Sequence, residues 1–92
     1  MDCPEVCFIL DAGLVGHFRK IVRQYFLPKE GDQVLLADTG LSRIYNYTQV
    51  SHYKFIVSHP YPIVYLKLKA NVNPNDVKMV TQFLSDNAWE KL

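Results

Sequence analysis

Leu14-Val15-Gly16-His17-Phe18-Arg19-Lys20-Ile21-Val22-Arg23-Gln24-Tyr25-Phe26 is the stretch whose reading decides the fold. Wound at about 100° per residue, Leu14, Val15, Phe18, Ile21, Val22, Tyr25 and Phe26 fall on one arc, and His17, Arg19, Lys20, Arg23 and Gln24 fall on the other. This spacing predicts an amphipathic helix over 14–26. Pro28 ends it, because the residue before a proline avoids the helical region. Upstream, Val6-Cys7-Phe8-Ile9-Leu10 is a short apolar run that suits a buried strand. Asp11, Gly13 and Gly16 supply turn or cap chemistry between the two.

Downstream of a turn at Lys29-Glu30-Gly31-Asp32, β-branched and aromatic residues dominate. Strands are expected at 33–37, 43–50, 53–58 and 63–72. In the last of these, Val64, Leu66, Leu68, Ala70 and Val72 alternate with Ile63, Tyr65, Lys67, Lys69 and Asn71. His59-Pro60-Tyr61-Pro62 is a stiff connection, since each proline fixes its φ and withholds a donor. The final helix is announced by Asn73 as N-cap, Pro74 at the first helical position and Asp76 near the positive end of the dipole. Val77, Val80, Leu84 and Ala88 form its apolar stripe, with Met79 and Trp89 off it. The expected fold is therefore α+β: a mostly antiparallel sheet of three to five strands, with two amphipathic helices packed on one face.

Ninety-two residues fit one domain, 1–92. With 49% hydrophobic and 21% charged residues the composition is globular. A domain this small leaves much of its surface wet, so its six Tyr, five Phe and one Trp cannot all be interior. The formal charge of +1 is too close to zero to argue for a polyanion partner by itself. No apolar run has membrane-spanning length. The first residues lack the basic region of a signal peptide. Cys3 and Cys7 would be too far apart along a strand for an easy disulfide. These features favour an intracellular location, cytoplasm or nucleus.

Motifs that carry chemistry are few. Val34-Leu35-Leu36-Ala37-Asp38-Thr39-Gly40 resembles the aspartic-protease signature. That chemistry needs two carboxylates sharing a proton, and thus a homodimer of single-motif chains. Leu41 follows where the family carries Ala or Ser, and no apolar-Gly-Arg-Asp brace is present. A strand-ending turn accounts for Asp38-Thr39-Gly40. Cys3, Cys7, His52 and His59 lack the spacing of structural zinc sites. Neither cysteine has a base placed beside it, and Gly13 and Gly16 lack the spacing and lysine of a phosphate loop. No enzyme activity, cofactor or metal is expected.

Charge is nonetheless segregated. No acidic residue occurs between Asp38 and Asp76, a span that holds Arg43, Lys54, Lys67, Lys69, two histidines and five of the six tyrosines. Aromatics ringed by cations build protein interfaces. The leading expectation is a protein-interaction module, a small subunit, adaptor or inhibitor. It would dock another protein or a second copy of itself through Tyr45, Tyr47, Tyr65, Lys67 and Trp89. The alternative is RNA or DNA binding through Arg19, Lys20, Arg23, Arg43, Lys54, Lys67 and Lys69, with tyrosines stacking on bases. The helix–strands–helix order is similar in outline to small double-stranded-RNA-binding modules. Those open their final helix with several lysines, whereas this one opens Pro74-Asn75-Asp76-Val77-Lys78, so no family is assigned.

Overall fold

The computed structural model describes residues 4–24, 27–36, 43–58 and 61–92. Its elements are β1 (Glu5–Asp11), β2 (His17–Arg23), β3 (Gln33–Leu35), α1 (Arg43–Asn46), β4 (Tyr47–Lys54), β5 (Ile63–Leu68), α2 (Val77–Asp86) and β6 (Glu90–Lys91). Short 3₁₀ turns occupy Gly13–Val15 and Pro74–Asp76. The strands form one mixed sheet in the order β3-β4-β5-β1-β2-β6. All pairings are antiparallel except β1 with β5, which run parallel.

The helix expected over 14–26 is the main correction. Residues 17–23 are extended and pair with β1 from Glu5↔Arg23 to Asp11↔His17. The fold is still α+β, but among the described residues it is a six-stranded mixed sheet, antiparallel in all pairings but one, with one substantial helix where two amphipathic helices on three to five strands were expected. The physical reason lies in the turn before β2. The Asp11 carboxylate accepts the Gly13 N–H at 3.0 Å, and Gly13 sits at φ 59°. Gly16 then takes φ 108° and ψ −157°, a region that only glycine enters readily. A residue so placed cannot continue a helix. It reverses the chain and lays β2 along β1. Phe18 and Val22, four apart, satisfy a helical stripe and an alternating strand equally well.

Parity then sorts the side chains. Leu10↔Phe18, Phe8↔Val64 and Leu10↔Leu66 are partners across strands, so all of them share one face. That face is the core, where Phe8, Leu10, Phe18, Val64 and Leu66 cluster with Val80 and Leu84 of α2. Ile21 belongs to the opposite face and is 46% exposed.

The last helix forms where its signals predict, but it ends at Asp86 and leaves the expected stripe residue Ala88 outside it and exposed. Asn73 Oδ1 accepts the Asn75 N–H at 2.9 Å, and Val80 and Leu84 are buried. Its end explains Trp89. Ala88 adopts a left-handed φ of 67°, and the Trp89 N–H reaches back to the Leu84 carbonyl at 2.9 Å. This closing turn folds Trp89 into the core and aims β6 along β2. The expected strand 43–50 is split: α1 occupies its first half, and β4 begins at Tyr47. Residues 55–58 lie beyond β4 and are not strand. The motif at Asp38-Thr39-Gly40, along with Cys3 and His59, lies outside the described residues. No helix among those described is long and apolar enough to cross a membrane.

α1 and α2 are tied by Tyr45. Its hydroxyl donates to Asp76 Oδ2 at 2.6 Å and accepts the Asn73 N–H at 3.1 Å. The hydrogen bond to the Asp76 carboxylate pushes the phenol pKa above its ordinary value, the Asn73 N–H acting in the opposite sense.

Phe18 is 1% exposed, so Phe18→Ala should cost about 3–5 kcal/mol in urea unfolding, while Ile21→Ala should cost under ~1 kcal/mol. Equal losses at the two positions would restore the helical reading. Because the folded Tyr45 holds its proton more tightly than the unfolded chain does, its contribution is complete below the ordinary tyrosine pKa of about 10. It is lost as pH rises through the higher folded value. The stability gap between wild type and Tyr45→Phe should therefore be constant from neutral pH to about pH 10 and narrow above it. A gap independent of alkaline pH would argue against the Tyr45–Asp76 bond.

Candidate functional site

With α2 on one side of the sheet, the other side carries no helix among the described residues. The register maps this open face row by row. His52, Tyr65, Ile9, Arg19 and Glu90 make one row across five strands. Lys54, Ile63, Cys7 and Ile21 make the next. On the other side of the first row, Gln49 and Lys67 continue into Asp11 and His17. Tyr47 sits between Leu35 of β3 and Lys69, whose N–H it accepts at 3.1 Å. The centre is apolar (Ile9, Ile21, Ile63, Cys7 and the Tyr65 ring) and the margin is charged.

A β-bulge builds the β4 part of this surface. Val50 pairs with Leu66 and His52 with Tyr65, leaving Ser51 as the extra residue. Strict alternation would send His52 and Lys54 to the helix side with Thr48 and Val50. The bulge resets the parity and brings both onto the open face. His52 then stacks on Tyr65 with ring centroids 4.2 Å apart and planes 14° apart. The Lys54 ammonium lies 5.6 Å from the same ring, within cation–π range. Ser51 Oγ is 3.3 Å from the Tyr65 carbonyl, to which it donates, and 3.1 Å from His52 Nδ1. The Ser51–His52 contact does not make a nucleophile–base pair, since both side chains are exposed and the hydroxyl is engaged with a carbonyl.

Charge is distributed unevenly over the face. On the β1–β2–β6 half each cation has a carboxylate: Arg19–Glu90 at 2.9 Å, Arg23–Glu5 at 3.7 Å and His17–Asp11 at 3.9 Å. These exposed pairs add little to stability, but they cancel charge. The hydrogen bond that Arg19 donates to Glu90 raises the Arg19 pKa further, so its charge is permanent. On the β4–β5 half, Lys54, Lys67 and Lys69 have no carboxylate within ion-pair distance among the described residues. Cys7 lies beneath the centre of the face. Burial pushes its thiol pKa up and the Arg19 charge offsets part of the rise, which makes it a poor nucleophile.

The residues singled out from sequence divide as follows. Tyr47, Tyr65 and Lys67 share the open face. Tyr45 and Trp89 do not join them: they are 5% and 8% exposed and belong to the core. Of the seven cations named for nucleic acid, Arg19, Arg23, Lys54, Lys67 and Lys69 line the open face. Lys20 faces the other way, beside Trp89, and Arg43 opens α1. Ile9, Ile63, His52 and Gln49 were missed. The signal for Ile9 and Ile63 is the alternation of β1 and β5, which becomes informative only once the pairing is known, whereas His52 and Gln49 lie on β4, where the bulge at Ser51 decides which side His52 takes.

Comparison with protein-family models, with curated proteins and with solved structures returns no significant match for this chain.

Proposed function

We propose that the chain is a non-enzymatic interaction module that docks a partner protein on its open sheet face. The observation that carries this reading is the layout of that face: an apolar centre at Ile9, Ile63 and Tyr65, inside a charged margin. Protein interfaces share this arrangement of an apolar core in a polar rim. The lysines without carboxylate partners fix the orientation. The partner places an acidic segment over β4–β5, against Lys54, Lys67 and Lys69, and an apolar side chain against Ile9 and Ile63. Tyr65, held by His52 and Ser51, is the rigid aromatic anchor of the kind that dominates binding energy. An intracellular setting remains part of the proposal: Cys7 is a buried free thiol, which suits a reducing compartment.

RNA or DNA binding is the second reading, and the same three lysines beside Tyr47 and Tyr65 favour it. It is the weaker one. One face of the Tyr65 ring is already covered by His52, and the arginines expected to meet phosphates are paired with carboxylates. Self-association through the open face would place Lys54, Lys67 and Lys69 near the Glu5, Glu90 and Asp11 half of a second copy, and is a special case of the leading proposal.

The test uses the immobilised full chain with three variants. Tyr65→Ala and the double change Lys54→Glu, Lys67→Glu should each reduce capture of an acidic partner, or self-association in sedimentation, by tenfold or more, on the order of hot-spot losses. Lys78→Glu, on the exposed side of α2, should leave it unchanged. Equal capture by all variants would overturn the reading. Tight binding of single-stranded oligonucleotides that weakens steeply with salt would move the assignment to nucleic acid.

A further inference from the structure

Apart from its open face, the sheet has an uncovered edge. β3 is the outer neighbour of β4, but it pairs only with Tyr47 to Gln49. The turn ahead of β3 adds two bonds at Val50, one from the Gly31 N–H and one to the Asp32 carbonyl. From Ser51 onward β4 has no strand on that side among the described residues. The far edge of the sheet is different. It closes with β6, two residues long and charged at both, and short charged edge strands resist further pairing.

The register fixes how the backbone points along the uncovered edge. The Cys7 N–H bonds the Pro62 carbonyl, so Pro62 turns towards β1 and the next residue, Ile63, turns its N–H and C=O towards β4. Ile63 lies opposite Lys54. Tyr53 therefore turns its own N–H and C=O away from β5, to the free edge. Because β5 starts at Ile63, Phe55, Ile56 and Val57 have no strand on either side. Their residue types favour strand, yet they are not strand and they are solvent-exposed, Phe55 to 68% and Val57 fully. The Phe55 ring meets Tyr53 edge-on at 5.6 Å, so the unpaired backbone carries a continuous apolar stretch.

We propose that this edge pairs with the same edge of a second copy, antiparallel about a two-fold axis, and joins two sheets into one. Free N–H and C=O groups select an extended polypeptide as the occupant, because strand addition satisfies them along the edge. The side chains select a copy of the same segment. Residues 51–57 contain no acid and one lysine, Lys54. An antiparallel pair centred on Phe55 sets Tyr53 opposite Val57 and Lys54 opposite Ile56, so the two ammonium groups do not face each other and the two Phe55 rings meet at the axis. Pairing draws 55–57 into strand. The apolar side chains and the backbone between them bury on the order of 1,000 Å² over two copies, which reaches the lower bound of a specific interface. The contact lies in the plane of the sheet, leaves the open face accessible and does not depend on docking there.

Sedimentation of the full chain and amide hydrogen exchange test the pairing together. The chain should dimerise with a Kd of roughly 10–100 μM, as suits so small an interface. The Tyr53 amide should exchange freely below that range and at least tenfold more slowly above it. Phe55→Lys combined with Val57→Lys changes two exposed side chains, and should weaken the dimer tenfold or more while the melting curve stays cooperative. Should the double variant not fold, the exchange measurement on the wild type decides. A chain that stays monomeric at about 1 mM, or a dimer whose Tyr53 amide is not slowed, overturns the proposal. A dimer lost in Tyr65→Ala and kept in the double variant puts self-association on the open face, and overturns the edge pairing while leaving the docking reading intact. A monomer that binds phosphatidylserine vesicles, and loses them in the double variant, assigns the apolar stretch to a membrane surface and also overturns it.

Discussion

The pairing of β1 along both of its edges is the constraint on which the rest of the molecule depends. One edge takes β2 in antiparallel register and the other takes β5 in parallel register. A parallel neighbour cannot be reached by a hairpin from β1 itself, so β2, β3, α1 and β4 lie between them in the chain, and β4 returns to β5. From β5 the chain must cross the sheet again to place β6 beside β2, and α2 makes that crossing. The placement of α2 thus follows from the strand order. Its apolar stripe covers Leu10, Phe18 and Leu66 on one side, and among the described residues no helix covers the other.

That asymmetry generates the open face. On the open side, the register of β1 with β5 and β2 sets Tyr65, Ile9 and Arg19 in line. The bulge at Ser51 adds His52 and Lys54 to them. The free edge of β4 has a separate origin: β3 covers only Tyr47 to Gln49, and the turn at Gly31, φ 89°, brings the chain to β4 no further along than Val50. Each surface therefore comes from one local irregularity, a bulge in one case and a left-handed residue in the other, acting on a regular register.

Much of this was legible in the sequence, and the unread part has a physical cause. The final helix could be read from Asn73, Pro74 and Asp76 because capping is local chemistry. The β1 and β5 strands could be read from their apolar patterns. Residues 14–26 could not be read from spacing alone: Phe18 and Val22 fit periods of both 2 and 3.6, and Ile21 was assigned to the wrong face as a result. Gly16 was the available counter-signal, since a glycine two residues before an apolar run marks a turn as readily as a cap. Tyr45 reads as a strand residue by propensity, and the contact with Asp76, thirty-one positions away, places it in the core. Tyr47, Tyr65 and Lys67 stand out by residue type, but whether they share a face is a matter of register, which non-local pairing decides.

The most direct test of the account is a nuclear Overhauser spectrum of the folded chain over residues 5–23 and 63–68. Cross-strand contacts should link Ile9 to Arg19 on one side and to Tyr65 on the other, with Phe18 near Leu10. Medium-range helical contacts through residues 17–23, with Ile9 lacking neighbours on either flank, would contradict the doubly paired strand and every surface built on it.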